Sequence, residues 1–342
     1  MPYKTHPLVL ATTLTLLSWS VAGAGAKKAD SGGSRVETAR SKTAVLWREP
    51  TDIQSRNLFY GPGGEEHQPV GPFKFVEEDL NGSNPKFVVR DANKVKWTVK
   101  LGNEARPETV ATRLVWSVGY FANEDYFLRD IKIEDMPAHV KRGAALIGPG
   151  GTIHSVRLKR HLEDEKKIAN WRWRDDSVAG PRELNGLKVM MALINNWDLK
   201  DENNELYGGK NPDDQVYLVS DLGASFGTTG ETFPFSHSKD NLHGYVHSKF
   251  ISKISAEYVD FGTPSRPAMI YAMFPPRFIR RVELDGIVHH IPRGDAQWIG
   301  HVLSNLSADQ IRDAFRAAGY DQKQIDAYCK VVQDRIAALN RL

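Results

Sequence analysis

One short run, Gln215-Val216-Tyr217-Leu218-Val219, constrains this chain more than any other, because acidic loops border it on both sides. Asp198-Leu199-Lys200-Asp201-Glu202-Asn203 precedes it, and Asp221-Leu222-Gly223 follows almost directly. A run this short and rich in valine and tyrosine reads as a buried strand. Such a strand must hand its flanking acids to the edge of the core. Upstream, Leu184, Leu187, Met190, Met191 and Ile194 recur at helical spacing. That helix, predicted over Arg182–Ile194, ends at Asn195-Asn196-Trp197 and delivers the Asp198 loop.

The first half of the chain has a different rhythm. Phe73–Glu78, Lys86–Arg90 and Lys94–Lys100 read as three strands separated by Asn81-Gly82-Ser83-Asn84-Pro85 and Asp91-Ala92-Asn93. Trp97 and Val99 alternate with Lys96, Thr98 and Lys100, which predicts an antiparallel meander with one wet face. A helix begins near Pro107, with Val110, Ala111, Leu114, Val115 and Val118 on its apolar side, and Gly119 stops it. Tyr126–Ile133 and Ile153–Leu158 are further strand candidates. The charged run Lys159–Lys167 reads as a solvated helix face or connector, and Trp171 and Trp173 as packing between lobes. Residues after about 240 read as mostly helical. They end in a pair of helices in which Ser307 and Gln310 form a capping box and Gly319 closes the first member.

Composition narrows the class. With 342 residues, 41% of them apolar, the chain can build one large domain or two lobes around a cleft. A net charge of +3 is no polybasic footprint, so nucleic acid is not a favoured partner. Residues 1–26 resemble an export signal: Lys4 and His6, an apolar run from Leu8 to Ala22, then Ala22-Gly23-Ala24-Gly25-Ala26. The other reading of that segment is an uncleaved interfacial anchor; the run is too short for a comfortable membrane span. Residues 27–44 read as a disordered linker and 45–72 as an ordered but irregular leader. Cys329 is the only cysteine, which excludes an internal disulfide and zinc sites built from several thiolates.

The order is therefore meander, Lys100, helix with Glu108, connector, helix, Asp198 loop, strand, Asp221. Over roughly residues 70–230 it resembles the protein-kinase-like superfamily. The likeness is to atypical members: phosphoinositide-type kinases, the HipA toxin type, and secreted and spore-coat kinases. The resemblance implies an α+β, two-lobed kinase-like fold, with a small antiparallel β lobe over 45–150 and a larger, mainly helical lobe over 151–342. It implies ATP or another nucleoside triphosphate, Mg²⁺ or Mn²⁺, and a hydroxyl-bearing acceptor. Asp198 would align the acceptor hydroxyl, and Asn203 and Asp221 would hold metal, with Leu222 in the place of the usual phenylalanine. Lys100 would hold the phosphates, paired with Glu108. Glu104, one turn away on the same face, competes for that lysine. Gly82 and Ser83, in the first turn, are candidates for covering the phosphates, and Asp201 is a secondary metal candidate.

Two other readings remain at this stage. One is a binding module that kept the fold and lost catalysis. The other rests on Gly223-Ala224-Ser225-Phe226-Gly227, which fits the nucleophile elbow of serine hydrolases, with His289 or His290 as base and Asp260 as orienter. His243 and His247, four apart with no third ligand nearby in sequence, are not a convincing metal pair.

Overall fold

A computed structural model describes residues 44–82, 84–162, 166–174, 181–208, 215–228, 239–262 and 283–342. The expected export signal, nearly all of the expected linker, and Ser83 lie outside these residues. The described residues fall within one compact unit.

The alternating segments form a closed barrel. Its strands are β1 (Phe73–Asp79), β2 (Lys86–Arg90), β3 (Lys96–Leu101), β4 (Asp125–Glu134) and β5 (Thr152–Arg160), in the order β1-β2-β3-β5-β4. A short parallel pairing of Phe73 with Ile133 and Lys74 with Glu134 closes it. Phe87, Val89, Trp97, Val99, Leu101, Val156 and Leu158 fill the interior at 1% exposure or less. Because β5 pairs with both β3 and β4, the barrel runs to Arg160, past the expected boundary at residue 150.

The outer face of β3 is not wet as the alternation predicted. Thr98 is 8% and Lys100 only 3% exposed. The covering element is α1 (Ala105–Ser117), whose residues are buried on nearly every side between the barrel and the larger core. It starts two residues before Pro107, and a proline in the first turn lacks only a backbone N–H that has no helical partner there. Gly119 ends it with φ +98°, and a Cβ there would lie 2.3 Å from the Arg48 carbonyl oxygen. The leader packs along α1: Trp47 donates to the Val118 carbonyl at 2.7 Å, and Arg113 donates to the carbonyls of Phe59 and Tyr60.

The larger core is mainly helical, with two small sheets. It contains α2 (Pro181–Leu193), α3 (Leu242–His247), α4 (Arg293–Leu303), α5 (Ala308–Ala317) and α6 (Gln322–Asn340). One antiparallel sheet joins β6 (Lys166–Asn170), β7 (Asn204–Gly208) and β8 (Val216–Val219). A second joins β9 (Ile251–Ile254), β10 (Tyr258–Phe261) and β11 (Ile291–Pro292). The described residues after 240 are mostly helical, as expected, and this second sheet is set among them; Val259 and Phe261 alternate inward with no exposed area. The charged run also ends differently, with Lys159 and Arg160 closing β5 and Lys166 and Lys167 opening β6. Trp171 and Trp173 sit inside the larger core, edge to face at 5.0 Å, and Trp171 donates to the Leu218 carbonyl. The Ser307–Gln310 capping box forms as expected. No helix among the described residues is long and apolar enough to cross a membrane.

Candidate active site

Three elements meet at Lys100. β3 carries the lysine on its outer face, α1 brings Glu104 and Glu108 one turn apart, and the segment after β8 brings Asp221. The ammonium lies 2.7 Å from Glu108 Oε2, 3.0 Å from Glu104 Oε2 and 2.5 Å from Asp221 Oδ1. The side chains of Lys100, Glu104 and Glu108 are all at or below 6% exposure, whereas that of Asp221 is 42% exposed. Asp221 is thus the acid of this group that faces solvent. Its backbone sits at φ +56°. An aspartate tolerates this left-handed region at a modest cost, a kind of strain that clusters at functional sites. Gly223 lets the segment pass close under α1, since a Cβ there would lie 2.6 Å from Glu104 Cβ.

The charges explain one another. Burial opposes the ammonium of Lys100, but the surrounding carboxylates outweigh it and raise its pKa. Burial likewise pushes the Asp221 carboxyl up, and the charge and hydrogen bond of Lys100 overcome it, so the net shift is downward. Glu104 is lowered in the same way by Lys100 and Lys239. Glu108 is raised, because burial there outweighs the pull of Arg157 and Lys100.

Asp198 and Asn203 lie on the loop next to the Asp221 segment. Asn203 donates its amide N–H to the Asp198 carbonyl at 2.9 Å and to Asp198 Oδ2 at 3.4 Å. Lys200 Nζ lies 2.6 Å from Asp198 Oδ1, and Asn196 Oδ1 accepts from the Asp198 backbone N–H. Backbone hydrogen bonds join this loop to the Asp221 segment: Ser220 N–H to the Asn203 carbonyl, Trp197 N–H to Ala224, and Phe226 N–H to Ile194. The β7–β8 register sets Asn204 against Val219, so Asn203 faces Ser220, the residue before Asp221.

The remaining candidates divide. Gly82 sits in the β1–β2 turn at φ +67° with its carbonyl held by Arg142. It is Asn84 of that turn that reaches the cluster, by donating to Glu104. Asp201 is occupied structurally, accepting from the Trp173 backbone N–H at 3.2 Å. Ser225 is fully buried and its hydroxyl donates to the Leu222 carbonyl at 2.7 Å. A nucleophile elbow must expose its hydroxyl, and His290, 3.8 Å from Asp260, is 81% exposed at the surface; the hydrolase reading is therefore dropped. Four contributors escaped the sequence reading: Asn84, Arg157, Lys200 and Lys239. Lys239 pairs with Glu104 and approaches the ring of Trp197.

The donor set is all oxygen. Carboxylate oxygens of Glu104, Glu108 and Asp221 lie within 4.8 Å of one another. That chemistry fits a hard divalent cation such as Mg²⁺ or Mn²⁺.

No protein-family model matches the sequence, and no curated protein matches it. Among solved structures the chain is similar to a proinflammatory kinase of Helicobacter pylori, CtkA, at 10% identity over 80% of this chain and 98% of that one, with a TM-score of 0.43. It is also similar to the golgi casein kinase, at 11% identity over 86% of this chain and 80% of that one, with a TM-score of 0.35. The α+β fold thus has kinases among its structural neighbours. Identities and scores this low leave the chemistry to side-chain geometry.

Proposed function

We propose that this protein is an atypical kinase-like phosphotransferase that moves the γ-phosphoryl group of a nucleoside triphosphate to a hydroxyl acceptor. The observation that carries the reading is the meeting of Lys100, Glu108 and Asp221, which lie far apart in sequence, at one ammonium. Lys100, steadied by Glu108, would hold the phosphates. Asp221 and Asn203 would hold a divalent cation, which when bound neutralises phosphate charge and orients the transferring group. Asp198, fixed by Asn203, Lys200 and its own backbone, would take the proton of the acceptor hydroxyl. Catalysis on this plan rests on position and charge. Lys100 and Asp221 pair directly, and phosphate and cation would exchange for that contact. The pattern of residues 1–26 supports export as part of the same proposal.

The test is a thermal melt with ATP and Mg²⁺. The wild-type protein should gain stability only with both present, Asp221→Ala should lose the gain, and Asp198→Asn should keep it. With any acceptor, Asp198→Asn should turn over about 10²-fold or more slowly. A wild type that ATP and Mg²⁺ leave unshifted overturns the reading. A wild type that binds both but transfers to no acceptor is a binding module.

A further inference from the structure

Glu108 is held from two sides. One carboxylate oxygen meets Lys100; the other meets Arg157 Nη2 at 2.6 Å. Arg157 lies directly across from Lys100 in the β3–β5 register, on the outer face between inward-pointing Val156 and Leu158. Its second nitrogen, Nη1, reaches Asp125 Oδ1 on β4 at 2.9 Å. The Thr112 hydroxyl lies 2.9 Å from the other oxygen of Asp125 and 2.7 Å from the Glu108 carbonyl, and shares its one proton between them. Arg157, Asp125, Glu108 and Thr112 are each at or below 4% exposure.

We infer that Arg157, anchored on Asp125, is a positioning residue. It fixes Glu108, and through it Lys100, in the phosphate-holding arrangement before any ligand arrives. The inference rests on the phosphotransferase reading and deepens it. Glu108 lies between Arg157 and the lysine, and Arg157 is buried, so its action is transmitted through Glu108. The chain ties α1 to β3, β4 and β5 at once. A swing of α1 away from the barrel would take Glu108 from both Arg157 and Lys100, and Thr112 from Asp125, which is strongly unfavourable for charges this buried. The pair is therefore preformed, with α1 locked inward by its own fold. An arginine suits the post because its planar fork serves two carboxylates together, which a lysine cannot do with the same geometry.

The experiment compares the affinities of ATP (with Mg²⁺) and adenosine for the full-length wild type and for Arg157→Leu, Arg157→Lys and Asp125→Asn. Lys100 serves the phosphates, so the ratio of the two affinities isolates its positioning, whereas general loosening weakens both ligands alike. The wild type should prefer ATP. Arg157→Leu should lose that preference on the order of tenfold, as for other groups that act by orienting a ligand-holding side chain. Arg157→Lys should recover part of it, and Glu108→Gln should add little on top of Arg157→Leu. Should Arg157→Leu fail to fold, Asp125→Asn and Arg157→Lys carry the test, each with a smaller loss of the same ratio. Folded Arg157 and Asp125 variants with the wild-type ratio overturn the inference and leave the phosphotransferase reading standing. A wild type without preference for ATP overturns both.

Discussion

Replacing Lys100 by methionine keeps an unbranched side chain of similar reach and removes its charge. Removing one member of a buried ion pair costs about 3–5 kcal/mol when the other is left bare. Here Glu108 keeps Arg157 and Glu104 keeps Lys239, so the loss should fall near the low end, about 3 kcal/mol. The contact with Asp221 is the shortest at 2.5 Å, but that side chain is 42% exposed, and an ion pair open to water contributes less than about 1 kcal/mol. Burial, not distance, should rank the partners. In double-mutant cycles, the coupling of Lys100→Met to Glu104→Gln should therefore exceed its coupling to Asp221→Asn. Urea unfolding measures each variant, with an unchanged slope certifying that the unfolded reference is the same. Lys100→Met within about 0.5 kcal/mol of wild type, the range of an ordinary surface change, would refute the reasoning. So would a larger coupling to Asp221 than to Glu104.

Two further outcomes follow from local geometry. His161 contacts the Thr98 hydroxyl at 2.7 Å, and burial, Lys159 and Lys96 lower its pKa from 6.5 to about 4. Because the unfolded chain binds this proton more readily, the stability involved is complete above pH 6.5 and drains away as the pH falls toward 4. The ring is partly exposed, which trims the effect to roughly 1–2 kcal/mol; His161→Gln should flatten that acid limb in a pH series of urea midpoints, and an unchanged slope refutes the assignment. Gly223→Ala puts a Cβ 2.6 Å from Glu104 Cβ, so it should cost about 1–3 kcal/mol and shrink the ATP-dependent thermal shift, and a variant unchanged in both would separate this glycine from the site.

Strands β1 to β3, α1, β4 and β5 were legible because alternation, turn residues and helical spacing agree along each segment. Barrel closure was not, since it rests on two residue pairs between strands distant in sequence, Phe73 with Ile133 and Lys74 with Glu134. The wet face was misread for a related reason. Lys96, Thr98 and Lys100 mark a polar face, and polarity equals exposure only when nothing polar covers it. Here α1 presents Glu104 and Glu108 to that face, so charges are buried against charges. The sheet of β9, β10 and β11 escaped notice because its strands are short and β11 is brought in from a distant segment.

The site divides along the same line. Lys100 and Asp221 lie next to turns at the ends of strands, and Glu108 lies in the first turn of a helix, an order whose resemblance to kinases implied that they meet. Sequence made Glu104 and Glu108 rivals for one lysine, since residues four apart share a helix face. The structure gives the lysine to both, with Glu108 also bound to Arg157 and Glu104 to Lys239. Each acid on α1 thus has a second cation of its own. Arg157 had only one visible trait, a charged residue between Val156 and Leu158, which any solvated strand would show. What sets it apart is its place opposite Lys100, and that is a property of β3–β5 register. Register depends on how the barrel packs, so the residue that pairs with Glu108 behind Lys100 becomes visible only once the barrel is built.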